Sequence, residues 1–349
     1  MAYINEARFH ESFENRAVDV SKHLDSTLSQ KVNGTSDIVR AMHKFNYTFV
    51  VNRTGKRIRP YIVVITALGN GYPESRIQQL YHLAISTELA HNYTLIHDDI
   101  TDRDVERSKS PTVRKMWYDL LTGIKNEDQR WREADNMALN AGDSLSQTVY
   151  EVISTSSFND KVRNKSAQAL SHALNKVSEG QLLDLRFSGK TDITLENTLN
   201  MYSLKTGELF SACALIGLAA SNGSEQQAYH ATKWAKTYLN YRFQIHDDFI
   251  ENNIDGVKGK PVGRDIVEGK MTPLVIETLK LGNNDQKKNL MNAFKNENAT
   301  EEDIKNAIAA MHESGAVNRL RKFKNEMGEL GKAEIELMEL INPFDELSK

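Results

Sequence analysis

The placement of proline constrains this chain more than any other feature of its sequence. There are 6 prolines in 349 residues, and none lies between Pro111 and Pro261. A proline inside a helix costs about 3 kcal/mol, so nearly half the chain runs without its strongest helix breaker. Apolar residues in that span recur with a helical period. From 201 to 221 they fall at Leu204, Leu209, Ala212, Leu215, Ile216 and Ala219. From 76 to 100 the same spacing appears at Leu80, Leu83, Ala84, Leu89, Ala90, Tyr93, Ile96 and Ile100. No stretch shows alternating strands joined by Asn-Gly turns. The pattern predicts an all-α protein, and the length suits two average domains or one large helical one.

The breaks between helices are legible. Residues 69–73 (GNGYP) predict a turn and 123–135 (GIKNEDQRWREAD) a polar connection. Residues 187–192 (FSGKTD) end one helix, with Asp192 or Thr194 as the next N-cap. From 252 to 273, Gly256, Gly259, Gly263 and Gly269 are interleaved with Lys258, Lys260, Arg264 and Lys270. That composition predicts a long loop able to fold its cations over an anion.

Composition excludes several function classes. With 44 basic and 47 acidic residues the net charge is −3, so no global basic field points to nucleic acid. The longest apolar runs, 61–68 and 212–220, fall well short of the roughly 20 residues that span a bilayer. The opening MAYINEARFHESFENR lacks the apolar core of a secretory signal. The single cysteine, Cys213, excludes an internal disulfide and a cysteine-rich zinc site, and within SACALIG it reads as a buried core thiol. These features predict a protein of a reducing, cytoplasmic compartment without a transmembrane segment.

One short motif occurs twice. LIHDDITD spans 95–102 and QIHDDFIE spans 244–251. Asp98 and Asp102 are four apart and share one face of a helix, with Asp99 beside them; Asp247 and Glu251 repeat the spacing with Asp248. Acids stacked this way repel each other, so a positive group should neutralise them. Carboxylate oxygens suit a hard cation such as Mg²⁺, held by few protein ligands plus substrate phosphates. Cations are grouped elsewhere: GKRIRP at 55–60, Arg107 and Lys109 after the first acidic row, and Lys205 in KTG, where a glycine in a helical run suggests a kink turning the lysine inward. His91 lies on the stripe leading to Asp98. Two acidic rows, separate cationic sets and apolar helices between them fit an amphiphilic diphosphate.

The ordered motifs resemble the trans-isoprenyl diphosphate synthases of the polyprenyl synthetase family. The family's DDxxD motif is matched by Asp98, Asp99 and Asp102, and its second acidic motif by Asp247 and Asp248, with Glu251 in place of a third aspartate. GKRIRP, HNYTLIHDD, GQLLDL, KTGELF, FQIHDD and GKPVGRDIVEGK follow in family order. The resemblance implies one domain over 1–349, built as mostly antiparallel helices around a deep central cavity, and a homodimer. It implies head-to-tail condensation of isopentenyl diphosphate with an allylic diphosphate. Mg²⁺, or Mn²⁺ in its place, would be held by Asp98, Asp99, Asp102, Asp247, Asp248 and Glu251. Asp98, Asp102, Asp247 and Lys205 would carry the ionisation step. Arg107, Lys205 and Lys260 would bind the allylic diphosphate, and Lys56, Arg59 and His91 the isopentenyl diphosphate. Thr206 and Gln244 would help hold the metal-bound end and the allylic cation.

The chain departs from the family pattern after the first acidic row. Where the family has two arginines and a glycine, it reads Arg107, Ser108, Lys109, so Lys109 is the candidate replacement for the second arginine. Tyr93 and Thr94 stand just before the first row, where the family sets chain length. An aromatic at Tyr93 without an insertion in DDITD fits a C15 or C20 product, and HNYTLIHDD is most similar to the geranylgeranyl type. A class I terpene cyclase would share the fold and the first row, but its second motif normally follows an Asn/Ser/Glu pattern. A regulatory subunit of a heteromeric synthase is favoured by Ser108, yet has no physical need of two intact acidic rows.

Overall fold

A computed structural model describes residues 6–34, 36–53, 55–254 and 262–338. Among these residues the only strands are two of two residues each, and the rest of the regular structure is helical. The chain divides into two compact units. The first contains the described residues up to Leu170 together with Cys213–Ser224; the second contains Ser171–Ala212 and the described residues from Glu225 onward.

The first unit begins with α1 (Glu6–Ser29), α2 (Asp37–Tyr47), α3 (Ile58–Gly69) and α4 (Ile77–Thr101). A hairpin of β1 (Glu106–Arg107) and β2 (Ser110–Pro111) follows, then α5 (Val113–Leu120), α6 (Glu127–Thr155) and the start of α7 (Asp160–Phe187). Helix α4 packs along α6 and against α3 and α1. Leu80, Leu83, Ile85, Leu89 and Ile96 of α4 are at most 1% exposed, each stabilising the fold by about 1.5–3 kcal/mol. Its buried Ser86 and Thr87 donate back to the carbonyls of Leu83 and Ala84, which removes the cost of burying a hydroxyl. Gly142 of α6 admits the His97 ring, since a Cβ there would lie 2.4 Å from Nε2.

The second unit takes in the end of α7, then α8 (Leu195–Tyr202), the start of α9 (Glu208–Ala220), α10 (Glu225–Trp234) and α11 (Arg242–Glu251). Helices α12 (Arg264–Glu268), α13 (Pro273–Leu281), α14 (Asn284–Ala293), α15 (Glu301–Glu313) and α16 (Ala316–Leu337) complete it. Ile245 and Phe249 of α11 enter its core with Leu274, Leu290, Met311 and Leu320. The proline-free span is thus helical almost throughout. Three turns within it or before it are wound as π-helix: Thr48–Asn52, Ser203–Gly207 and Ala235–Tyr241.

Two local expectations are corrected. The polar run 123–135 is a connection only as far as Asn126. Asn126 caps α6, accepting from the Gln129 N–H at 2.8 Å, and Glu127 and Asp128 favour the positive helix start, so the charged residues after it are helical. The loop 252–273 contains the short helix α12, bounded by Gly263 (φ 79°) and Gly269 (φ 74°), both in the left-handed region that glycine adopts without penalty. Thr194 is the N-cap of α8 and forms a reciprocal capping box with Asn197. Cys213 is buried, and burial pushes its thiol up to about 12. Among the described residues one helical run, Leu195–Ala220, has the length and apolarity to cross a membrane, but 78% of its most apolar 18-residue stretch is buried within the protein, as in a core helix.

Candidate active site

Both acidic rows end a helix. Asp98 and Asp99 occupy the last turn of α4 and Asp102 is its C-cap; Asp247, Asp248 and Glu251 occupy the last turns of α11. The two ends close in the same way. The Asp104 N–H donates to the Asp99 carbonyl (2.8 Å) around Arg103, whose φ is 57°. The Ile254 N–H donates to the Phe249 carbonyl (2.8 Å) around Asn253, whose φ is 51°. A helix C-terminus carries partial negative charge, so carboxylates there are electrostatically misplaced unless a cation joins them.

In the first row that cation is Arg107. Its Nε donates to Asp99 Oδ1 at 2.6 Å and its Nη2 to Asp98 Oδ2 at 3.3 Å. The second oxygen of Asp99 is buried with no hydrogen-bond partner. Burial pushes the Asp99 carboxyl up to about 7 against the opposing pull of Arg107. In the second row Asp248 is buried beneath Tyr202, whose hydroxyl lies 3.0 Å from both carboxylate oxygens. Burial first, and then the nearby Asp265, hold Asp248 well above the ordinary carboxylate range. Asp265 is raised by burial too, with Lys270 opposing.

These observations fit a divalent cation. A buried carboxylate oxygen without a donor, acids at negative helix ends and carboxyls whose ionisation burial disfavours are all relieved by added positive charge. Among the described residues no three acidic or histidine side chains already form a ligand set around one point. Mg²⁺ does not require one, because it usually takes one or two carboxylates and completes its shell with water and phosphate oxygens.

The basic residues divide by environment. In GKRIRP, Lys56 is exposed and Arg59 half-buried, whereas Arg57 is buried and structural. Arg57 donates to Glu88 Oε1 (2.7 Å) and to the Val50 carbonyl (2.8 Å). His91 sits among guanidiniums. Burial and the charges of Arg59, Arg53, Arg107 and Arg57 hold its imidazole well below the usual value, so it is neutral at pH 7. Ser108 and Lys109 form the two-residue turn between Arg107 and Ser110, with φ of 52° and 62°. Lys109 is exposed at that tip.

Lys205 lies in the π-helical turn Ser203–Gly207, and its Nζ donates to Asp184 Oδ2 at 2.7 Å. The KTG run expected to kink is wound as a π-helical turn. Gly180 of α7 makes room for it, since a Cβ there would lie 2.5 Å from the Lys205 backbone nitrogen. Thr206 and Gln244 are half-buried. Lys270 reaches Glu268 (3.1 Å) and Asp265 (3.5 Å) rather than open solvent. Lys260 falls in 255–261, outside the described residues. Tyr93 is half-buried on α4, with its ring edge-on to His97 at 5.6 Å, and burial pushes its phenol up to about 12. Thr94 donates to the His91 carbonyl at 2.8 Å.

Sequence reasoning did not nominate Arg53, Asp184, Tyr202 or Asp265. Asp184 and Asp265 lie inside GQLLDL and GRDIVEGK, so those motifs held the signal. Nothing local marks Tyr202 or Arg53, whose roles depend on residues distant in the chain.

Residues 40–311 match the sequence model of the polyprenyl synthetase family. The chain belongs to that family, and its all-α architecture is the isoprenoid synthase fold of its structural neighbours. A short-chain isoprenyl diphosphate synthase of Methanocaldococcus jannaschii is 37% identical over 261 residues, covering 74% of this chain and 73% of that one. A geranylgeranyl diphosphate synthase of Methanosarcina mazei is 28% identical, over 91% of this chain and 90% of its own. The structure of a geranylgeranyl pyrophosphate synthetase from Geoglobus acetivorans aligns with a TM-score of 0.76, at 26% identity over 93% of both chains.

Proposed function

We propose that this chain is a prenyltransferase joining isopentenyl diphosphate head-to-tail to an allylic diphosphate, with geranylgeranyl diphosphate as the product. The observation that carries the reading is the duplicated row of carboxylates, each row on the last turns of a helix. In the first row Arg107 already plays the part of a bound cation. The relatives' names support the substrate class. We assign the whole chain to one catalytic domain, acting as a cytoplasmic homodimer.

Asp98, Asp99 and Asp102 with Asp247, Asp248 and Glu251 are the residues that would hold Mg²⁺, or Mn²⁺ in its place. The bound metal would supply Lewis-acid stabilisation of charge on the departing diphosphate. Arg107 exchanges its carboxylate partners for the allylic diphosphate. Lys205, which pairs with Asp184, is assigned to the same diphosphate, as are Lys270 and Lys260, the last lying outside the described residues. Each adds a charge-assisted hydrogen bond that strengthens as negative charge develops. Lys56, Arg59, Lys109 and neutral His91 orient the second diphosphate, so that its double bond faces the allylic carbon. Thr206 and Gln244 present oxygens to the electron-poor carbon chain. Water must be kept from the site, because it would trap the cation. The proton lost on closing the new double bond passes to the released diphosphate, so no protein nucleophile is required.

The test is turnover by the purified chain alone, with Mg²⁺, isopentenyl diphosphate and each of dimethylallyl, geranyl and farnesyl diphosphate. Chromatography of the dephosphorylated product should show a C20 alcohol. Product formation without isopentenyl diphosphate identifies a cyclase, and no turnover without a second subunit identifies a regulatory chain.

A further inference from the structure

The guanidinium groups around His91 are unequally matched with negative charge. Arg57 is held by Glu88, and Arg107 by Asp98 and Asp99. Arg53 differs. It is half-buried, and its hydrogen bond is to a neutral amide, from Nη2 to Asn92 Oδ1 at 2.8 Å. Its Cζ lies 4.4 Å from the centre of the Phe49 ring. Asn92 adjoins His91 on α4 and is itself fixed, donating to the Glu88 carbonyl at 2.8 Å. The amide and the ring therefore orient the guanidinium without neutralising it. The π-helical turn Thr48–Asn52 leads into Arg53, which leaves the helix with extended backbone (φ −74°, ψ 132°). Such turns change the direction in which the following side chain points, and they occur often at functional sites.

We infer that Arg53 is a diphosphate ligand, completing with His91 and Arg59 the place where isopentenyl diphosphate binds. The inference rests on the functional reading above. A buried arginine that served only the fold would be matched by a carboxylate, as Arg57 is, because an uncompensated buried cation is costly. The carboxylates that act on Arg53, Glu88 and Asp99, are each hydrogen-bonded to another arginine, Arg57 and Arg107. Burial and the Arg107 cation lower it to about 10, against the opposing pull of Glu88 and Asp99. An arriving diphosphate relieves that repulsion and accepts the planar fork of donors, which an arginine already oriented by Asn92 and Phe49 offers at little entropic cost. Asn92 and Phe49 orient the Arg53 guanidinium, and the group whose chemistry matches its planar donors is a phosphate oxyanion.

The experiment uses the full chain and the variants Arg53→Gln and Arg53→Lys, with folding of each checked by circular dichroism. KM for isopentenyl diphosphate and for the allylic substrate are measured separately. Arg53→Gln should raise KM for isopentenyl diphosphate by about tenfold or more and change the allylic KM far less. Arg53→Lys keeps the charge but loses the fork, so its isopentenyl diphosphate KM should fall between native and Gln values. An unchanged isopentenyl diphosphate KM in either folded variant, or equal rises for both substrates, overturns the assignment. If the native chain consumes no isopentenyl diphosphate with any primer, the functional reading fails on its own. Calorimetry with inorganic diphosphate then decides the site: about a tenfold affinity loss in a folded Arg53 variant sustains it, and equal affinity removes it.

Discussion

The hairpin tip at Ser108 and Lys109 allows strain and charge to be separated. A two-residue turn closed by the pair Arg107 and Ser110 needs left-handed backbone at both central positions, and here φ is 52° and 62°. Asn-Gly meets that need without penalty; lysine at the second position carries a Cβ that costs about 1 kcal/mol or somewhat more. The tip is exposed, so replacing Lys109 removes no buried surface. Lys109→Gly and Lys109→Ala both delete the ammonium, but only glycine relieves the backbone. Urea unfolding should therefore rank Lys109→Gly above Lys109→Ala by about 1 kcal/mol, at unchanged m-value. In kinetics the two should coincide. Losing a charge-assisted contact to phosphate, worth about 1.5–3 kcal/mol, raises KM for isopentenyl diphosphate about tenfold or more, with a smaller change for the allylic substrate. Equal urea midpoints for the two variants would refute the strain argument. Equal effects on both substrates, or none, would remove Lys109 from the binding site and favour the regulatory-subunit reading.

Three further outcomes are expected. Asp98→Ala or Asp247→Ala should lower turnover by several orders of magnitude; a variant retaining more than about a tenth of native rate at saturating Mg²⁺ shows that its row holds no catalytic metal. Tyr93→Ala should give C25 or longer products with the first condensation little changed. A helix turn of about 5.4 Å is similar in length to one isoprene unit; an unaltered product distribution places the floor elsewhere. Glu88→Ala strands the Arg57 guanidinium, 4% exposed, without its 2.7 Å partner. Denaturation should show a loss of about 3–5 kcal/mol, and a loss below about 1 kcal/mol would mean that Arg57 re-pairs.

Short-range spacing carries much of this protein. The helices over 77–101 and 208–220, the Thr194 cap and the acidic rows at Asp98 and Asp247 depend on residues within a turn or two of one another, so the chain order alone reveals them. The error at 123–135 had a local cause: a strongly charged segment resembles a loop, although Glu, Gln and Arg are good helix formers once Asn126 caps them. What tertiary structure decided is the partner of each charge. GKRIRP offers three cations, yet only the approach of Glu88 and Val50 makes Arg57 the buried one, with Lys56 exposed and Arg59 half-buried. Tyr202 meets Asp248 across 46 positions, and Asp184 meets Lys205 across 21. Arg53 acquires its significance from Asn92, 39 residues away. Helical periodicity is a property of neighbours in sequence; the desolvation and pairing that set a side chain's charge, reach and chemistry belong to neighbours in space.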